Sequence, residues 1–287
     1  MRQTKAKNTI MANNLTRKIF RSFVYFPLRL NMMRKNFDAT FHINCNNHAL
    51  GNDVLDLVTV ACNNDYTIEQ QYRLLNKYLA DSFCYTVADN SSIPAKQQKI
   101  LDICRKSNIA YIRLPSNPLT MGSVSGYSHG MALNWLYNKY IKPRAAPYFG
   151  FLDHDIYPVR RTGIKNALEH QPMFGCRQPF DETDTHINVW YLYPGFCFFR
   201  RDYVLGEVMD FTPNKGWDTG FSNWPLIYSK MDPAAIRFPR VSFHELSDGK
   251  DSPAYRYEII GDWIHAGQAV FWDPSRQNLI ARLLEQY

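Results

Sequence analysis

The 287-residue chain predicts one doubly wound α/β domain, a mostly parallel sheet with helices on both faces, preceded by a basic extension. Three observations carry this. Strand-like apolar runs alternate with helical periods three times between residues 54 and 159. The last run, residues 148–152, is apolar without alternation, as in a strand covered on both faces. Hydrophobic residues make up 45% and aromatics 15%, enough to fill such a core and to exclude global disorder.

Residues 54–61 read as the first strand, ending in Cys62-Asn63-Asn64-Asp65. Thr67 and Gln70 form a capping-box pair opening a helix with Ile68, Tyr72, Leu75 and Leu79 on one face. Residues 83–87 are the second strand, and Asp89-Asn90-Ser91-Ser92 follow as a polar turn. Pro94 sits just inside a second helix reaching about residue 106. Residues 110–114 are a third strand, and a Gly/Ser-rich loop at 121–126 leads into a helix over 128–140. The central strand then ends in Asp153-His154-Asp155. The second half is less regular. It predicts a short helix at 164–170, a strand at 173–177, an acidic loop at 181–185 and a strand over 189–200 broken at Pro194-Gly195. Mixed loop and helix over 217–230 and an aromatic strand or loop at 262–272 carrying His265 come next. Asp273 caps a closing helix with Pro274 in its first turn. No Pro/Gly/Ser linker divides residues 51–287, so they form one domain.

Charge is unevenly placed. Residues 1–36 carry nine Lys or Arg and no acid, leaving 24 basic against 26 acidic residues in the rest. The body therefore gives no reason to expect nucleic acid, and an anionic substrate needs local neutralisation, which favours a metal. Within the extension, Phe20, Phe23, Tyr25, Phe26 and Leu28 interleave with Arg21 and Arg29. Such a stretch suits peripheral contact with an anionic membrane surface, a presequence, or a loosely packed arm, and Pro27 argues against one long helix. Six scattered cysteines without a Cys-x-x-Cys read as reduced thiols in a cytoplasmic compartment. No apolar run approaches the roughly 20 residues of a membrane span.

Asp153 and Asp155 stand just past the central strand, where ligands of open α/β sheets gather. Two residues apart in extended chain, both carboxylates project to one side and suit Mg²⁺ or Mn²⁺ holding a phosphate. An isolated Asp-x-Asp is far more often a solvated turn, and the strand end is what favours ligation.

The order of motifs resembles the GT-A (Rossmann-like) glycosyltransferases, particularly the family-two group, over roughly residues 54–272. The matching pieces are Asn63-Asn64, Asp89-Asn90-Ser91, the helix from Ser128-His129-Gly130, Leu152-Asp153-His154-Asp155, Tyr193-Pro194-Gly195-Phe196 and Asp218-Thr219-Gly220. The resemblance implies a metal-dependent, inverting transfer of a single sugar from a nucleotide-sugar to a glycan or glycolipid hydroxyl. Residues 51–159 then bind nucleotide and 160–287 shape the acceptor side. By that likeness Asp89, Asn90 and Asn63 contact the nucleoside, with His129 nearby. Asp155 binds the metal, Asp153 binds ribose or the metal, and His265 adds a ligand. Asp218 is the base, with Asp181, Glu182 and Asp184 as competitors, because the acidic pair common at this place in the family is missing. Trp190, Tyr191 and Tyr193 either stack on sugars or fill the core. No Gln-x-x-Arg-Trp motif is present, against a processive synthase. A sugar nucleotidyltransferase is disfavoured because Cys62-Asn63-Asn64-Asp65 replaces a Gly-rich phosphate loop. A non-catalytic nucleotide- or carbohydrate-binding module is the remaining alternative.

Overall fold

Seven strands form the central sheet of the computed structural model, which describes residues 19–45, 53–119, 125–179, 189–214, 217–247, 249 and 254–287. They are β1 (His42–Ile43), β2 (Leu55–Ala61), β3 (Phe83–Asp89), β4 (Ala110–Arg113), β5 (Tyr148–Asp153), β7 (Met173–Gln178) and β8 (Tyr191–Arg200), in the order β1-β4-β3-β2-β5-β8-β7. The inner four are parallel, while β1 and β8 run antiparallel to their neighbours, so the expected α/β sheet is present. Every residue of β2 is buried, as its apolar content requires of a strand with helices on both sides.

The chain builds outward from β2 through β3 to β4 and then crosses back to place β5 on the other side of β2. The carboxyl ends of β2 and β5 therefore flank the reversal point, where a crevice opens in such sheets. Helices α2 (Asp65–Tyr78), α3 (Pro94–Lys106) and α4 (Ser125–Leu136) make the crossovers. α2 is capped by Asn64, whose Oδ1 accepts from Thr67 N, so the cap lies before the expected Thr67–Gln70 box. At the opposite end of β2, Asp56 is fully buried and takes a 2.6 Å hydrogen bond from Arg144 Nε. Burial still holds its carboxyl above the ordinary range, against Arg144.

A second, antiparallel sheet was not foreseen. It orders β6 (Ile156–Pro158), β11 (Trp263–His265), β10 (Tyr255–Ile260) and β9 (Val241–Leu246). Short helix α5 (Ile164–Leu168) precedes β7, α6 (Arg201–Val204) follows β8, and α7 (Pro274–Leu284) closes the chain under the Asp273 cap. β8 is unbroken at Pro194. Its ladder with β7 shifts register between Gly175 and Arg177, and its pairing with β5 begins only at Phe196, so the proline interrupts no paired position.

The segment before residue 50 joins the domain. Helix runs without a break from Ile19 to Arg34, as a π turn (Phe20–Tyr25) continued by α1 (Phe26–Arg34). The π turn resolves the objection from Pro27: Phe26 N already bonds back to Arg21 O, and the widened turn accommodates a proline where an α-helix would clash. Tyr25, Met32 and Phe37 enter the main core beside α4. The acidic loop with Asp181, Glu182 and Asp184, residues 1–18 and residues 121–124 lie outside the described residues.

Candidate functional site

β5 ends at Asp153, and the following turn brings Asp155 back beside it before β6 begins. The two acids thus meet through a turn, not through strand alternation. Asp153, Asp155 and His265 each present a ligand atom within 4.8 Å of the others. His265 arrives from β11, whose hairpin partner β10 sets Glu258 directly opposite. Glu258 Oε2 lies 2.9 Å from His265 Nδ1, and His265 Nε2 lies 3.6 Å from Asp155 Oδ1. The glutamate fixes the proton on Nδ1 and turns Nε2 toward the acids. Burial opposes a charge on His265, but Glu258 and Asp155 outweigh it and raise the imidazole to about 9. Asp153 is held below the usual carboxylate range: burial works against this, and His129 and His265 prevail.

Asp153 is tightly placed. His129 Nε2 stands 3.4 Å from its Oδ1, and Tyr193 OH donates to Oδ2. Gly195 packs against the same carboxylate, where an added Cβ would stand 2.4 Å from Oδ2. Asp155 Oδ2 accepts from Ala269 N at 3.0 Å, tying the turn Ala269–Phe271 to the cluster. His154 points inward instead. Its Nδ1 accepts from Cys62 N, and burial pushes its pKa down, so it is a neutral bracket between β2 and β5.

Two cavities adjoin at Asn90. One of 440 Å³ is walled by Asp89, Arg113, Gln97, Asn117 and the prolines around Ser116. The other, of 400 Å³, holds His129, Asp153, Asp155, Tyr193 and Asp218, with half-exposed Phe271 on its wall. Asp89 is 1% exposed, accepts from Ser91 N and Tyr111 OH, and burial raises its pKa despite those bonds. Asn90 donates to Ser128 Oγ at 2.9 Å. Asp218 takes Thr219 N at 2.7 Å on Oδ1 and precedes Gly220, whose φ of +93° starts the 3₁₀ turn Phe221–Asn223.

Of the residues the sequence singled out, Asp153, Asp155, His129, Asp218, Asp89 and Asn90 stand on the walls of adjoining cavities, and His265 lies behind them against Asp155. Asn63 was misplaced. That side chain accepts from Ser92 N and Ile93 N and donates to Ser92 Oγ, so it fastens the turn before α3 and faces neither cavity. Trp190 and Tyr191 are core residues, 2% and 3% exposed, and only Tyr193 reaches the cavity. Glu258 and Gly195 went unassigned. Glu258 was readable, because Ile260-Gly261-Asp262-Trp263 is a two-residue hairpin loop, and counting outward pairs residue 258 with 265.

Fold and site together define a class: an α/β domain with an acid–histidine cluster at the switch point of its parallel strands, beside two ligand-sized clefts. No protein-family model matches the chain, and no curated protein does. Among solved structures it is similar to the mannosyltransferase PcManGT from Pyrobaculum calidifontis in complex with GDP-Man and Mn²⁺, at 13% identity over 77% of this chain and 64% of that one, TM-score 0.44. It is also similar to an active-site mutant of LgtC (15% identity, 51% of this chain and 57% of that one, TM-score 0.36) and to S. aureus TarS in complex with UDP-GlcNAc (18%, 42% and 33%, 0.29). The chain spans less than two thirds of each of these structures.

Proposed function

We propose that the chain is a metal-dependent glycosyltransferase that moves one sugar from a nucleoside-diphosphate sugar to a hydroxyl of a glycan or glycolipid, with inversion. The observation that carries the reading is the Asp153–Asp155–His265 cluster, whose two acids share a cavity with Asp218 next to the Asp89 cleft. Two carboxylates and an imidazole whose other nitrogen is held by Glu258 form a donor set suited to Mn²⁺ or Mg²⁺. When bound, the ion offsets diphosphate charge and stabilises the departing nucleoside diphosphate.

The side chains supply the rest. Asp89, accepting hydrogen bonds in the adjoining cleft, receives an N–H of the base or a ribose hydroxyl, and Asn90 spans the two cavities. His129 braces Asp153 and offers a donor to the phosphates. Asp218 takes the acceptor hydroxyl proton as that oxygen bonds to the anomeric carbon and the bond to diphosphate breaks. Six cysteines, none of them in a disulfide, suit a cytoplasmic, reducing setting. A panel of nucleotide-sugars with and without Mn²⁺ tests the reading. Metal-dependent donor hydrolysis or transfer is expected, abolished by Asp155→Ala, and the reading is abandoned if no donor binds or turns over.

A further inference from the structure

We infer that the helix over residues 19–34 seats the protein on an anionic lipid bilayer, an interaction that does not depend on the glycosyltransferase reading. One side of this helix is spoken for: Tyr25 OH meets Thr212 Oγ1 at 2.9 Å, Arg29 binds Asp210 at 3.1 Å and Trp135 Nε1 donates to Lys35 O. The other side is apolar and open. Ile19, Phe23, Phe26 and Leu30 recur at intervals of four, three and four, one helical stripe, with Phe23 78% and Leu30 59% exposed. Five of the twelve large apolar side chains exposed among the described residues fall within residues 19–30, so the feature is local and not the background of any surface.

A helix with one side docked on the domain and an apolar stripe on the other leaves that stripe to be covered. Charge selects the cover. The stripe ends in exposed Arg34 and Lys35, and the first 36 residues hold nine positive charges with no acid. A row of apolar side chains flanked by basic ones matches the boundary between acyl chains and anionic headgroups. No described helix is long and apolar enough to cross a membrane, so this contact lies along the surface. The docked side of the same helix grips Asp210, Thr212 and Asn214, which precede Asp218 in the chain.

The test is sedimentation of the full chain with sucrose-loaded vesicles of phosphatidylcholine, alone or with 30% phosphatidylglycerol. Binding is expected only to the anionic vesicles and to weaken with salt. Phe23→Ser with Leu30→Ser should lower the partition coefficient by about a hundredfold, and Arg34→Gln with Lys35→Gln by roughly tenfold. All four side chains are exposed, so unchanged circular dichroism and melting temperature accompany the loss. Absence of wild-type binding to anionic vesicles overturns the inference. So does undiminished binding by the Phe23/Leu30 variant, which assigns attachment to the basic tail. A wild type that ignores vesicles but is a dimer, made monomeric by the same substitutions, also overturns it and assigns the stripe to a second copy.

Discussion

Replacing Glu258 with glutamine separates two effects of that residue on His265. The carboxylate orients the ring through Nδ1 at 2.9 Å, and its charge helps hold the imidazole at about 9. A metal needs the lone pair on Nε2, so His265 must lose a proton as the ion binds. At pH 7, two units below that pKa, about one molecule in a hundred carries the neutral ring, a cost of about 2.7 kcal/mol. Apparent Mn²⁺ affinity should therefore rise about tenfold per pH unit from 6 to 8 and level off near 9. Glutamine keeps an acceptor for Nδ1–H but removes the charge. The levelling point then moves to lower pH, while the limiting affinity falls about tenfold with the weaker orientation. The two proteins bind similarly near neutrality and diverge at pH 9. Titration calorimetry in buffers of different ionisation enthalpy reads both the affinity and the proton released. A wild-type affinity independent of pH between 6 and 8, with no proton released, refutes the reasoning.

Three further outcomes follow from the same geometry. Because the folded-state pKa of His265 lies above its ordinary 6.5, the metal-free fold binds the extra proton, and that stabilisation is complete below 6.5 and lost as pH rises through 9. Denaturation of chelator-treated protein should show a loss on the order of 3 kcal/mol across that window, absent in His265→Asn. Gly195→Ala puts a Cβ 2.4 Å from the Asp153 carboxylate and should weaken Mn²⁺ binding at least tenfold, at a stability cost of about 1–3 kcal/mol; calorimetry showing undiminished affinity would count against the site. Arg144→Met leaves Asp56 buried without its cation and should cost about 3–5 kcal/mol by urea unfolding, with metal binding retained.

The parallel half of the fold was readable because buried parallel strands and amphipathic helices leave unambiguous periods. β2, β3, β5 and α3 fall within two residues of the expected bounds. Asp153 was readable for the same reason, since it ends a strand whose type is clear, whereas the turn that brings Asp155 back beside it was not. What escaped depends on partners distant in sequence. β9 mixes exposed and half-buried residues along an edge, so no alternation marks it. Pro194 breaks a strand by local rules, and only the offset of β7 reveals a gap that admits it. Asn63 carries the same side chain whether it faces a nucleoside or the turn at Ser92, and its φ of +53° with Ser91–Ile93 as neighbours decides for the turn. Pro27 was misjudged because the π turn that accepts it is not encoded by any single residue.

The grip of the first helix on residues 210–214 changes how deletion experiments on this chain should be interpreted. Arg21, Tyr25 and Arg29 hold Asn214, Thr212 and Asp210 from one side, while Asn134 and Asn223 hold Asp210 and Phe211 from the other. A protein shortened to begin after residue 50 keeps every wall of both cavities yet loses half of that clamp. It should bind nucleotide and fail in turnover. Such a phenotype is ordinarily taken as the mark of a missing catalytic group, and here it would report the loosened support beneath Asp218 together with the core packing lost with Tyr25, Met32 and Phe37.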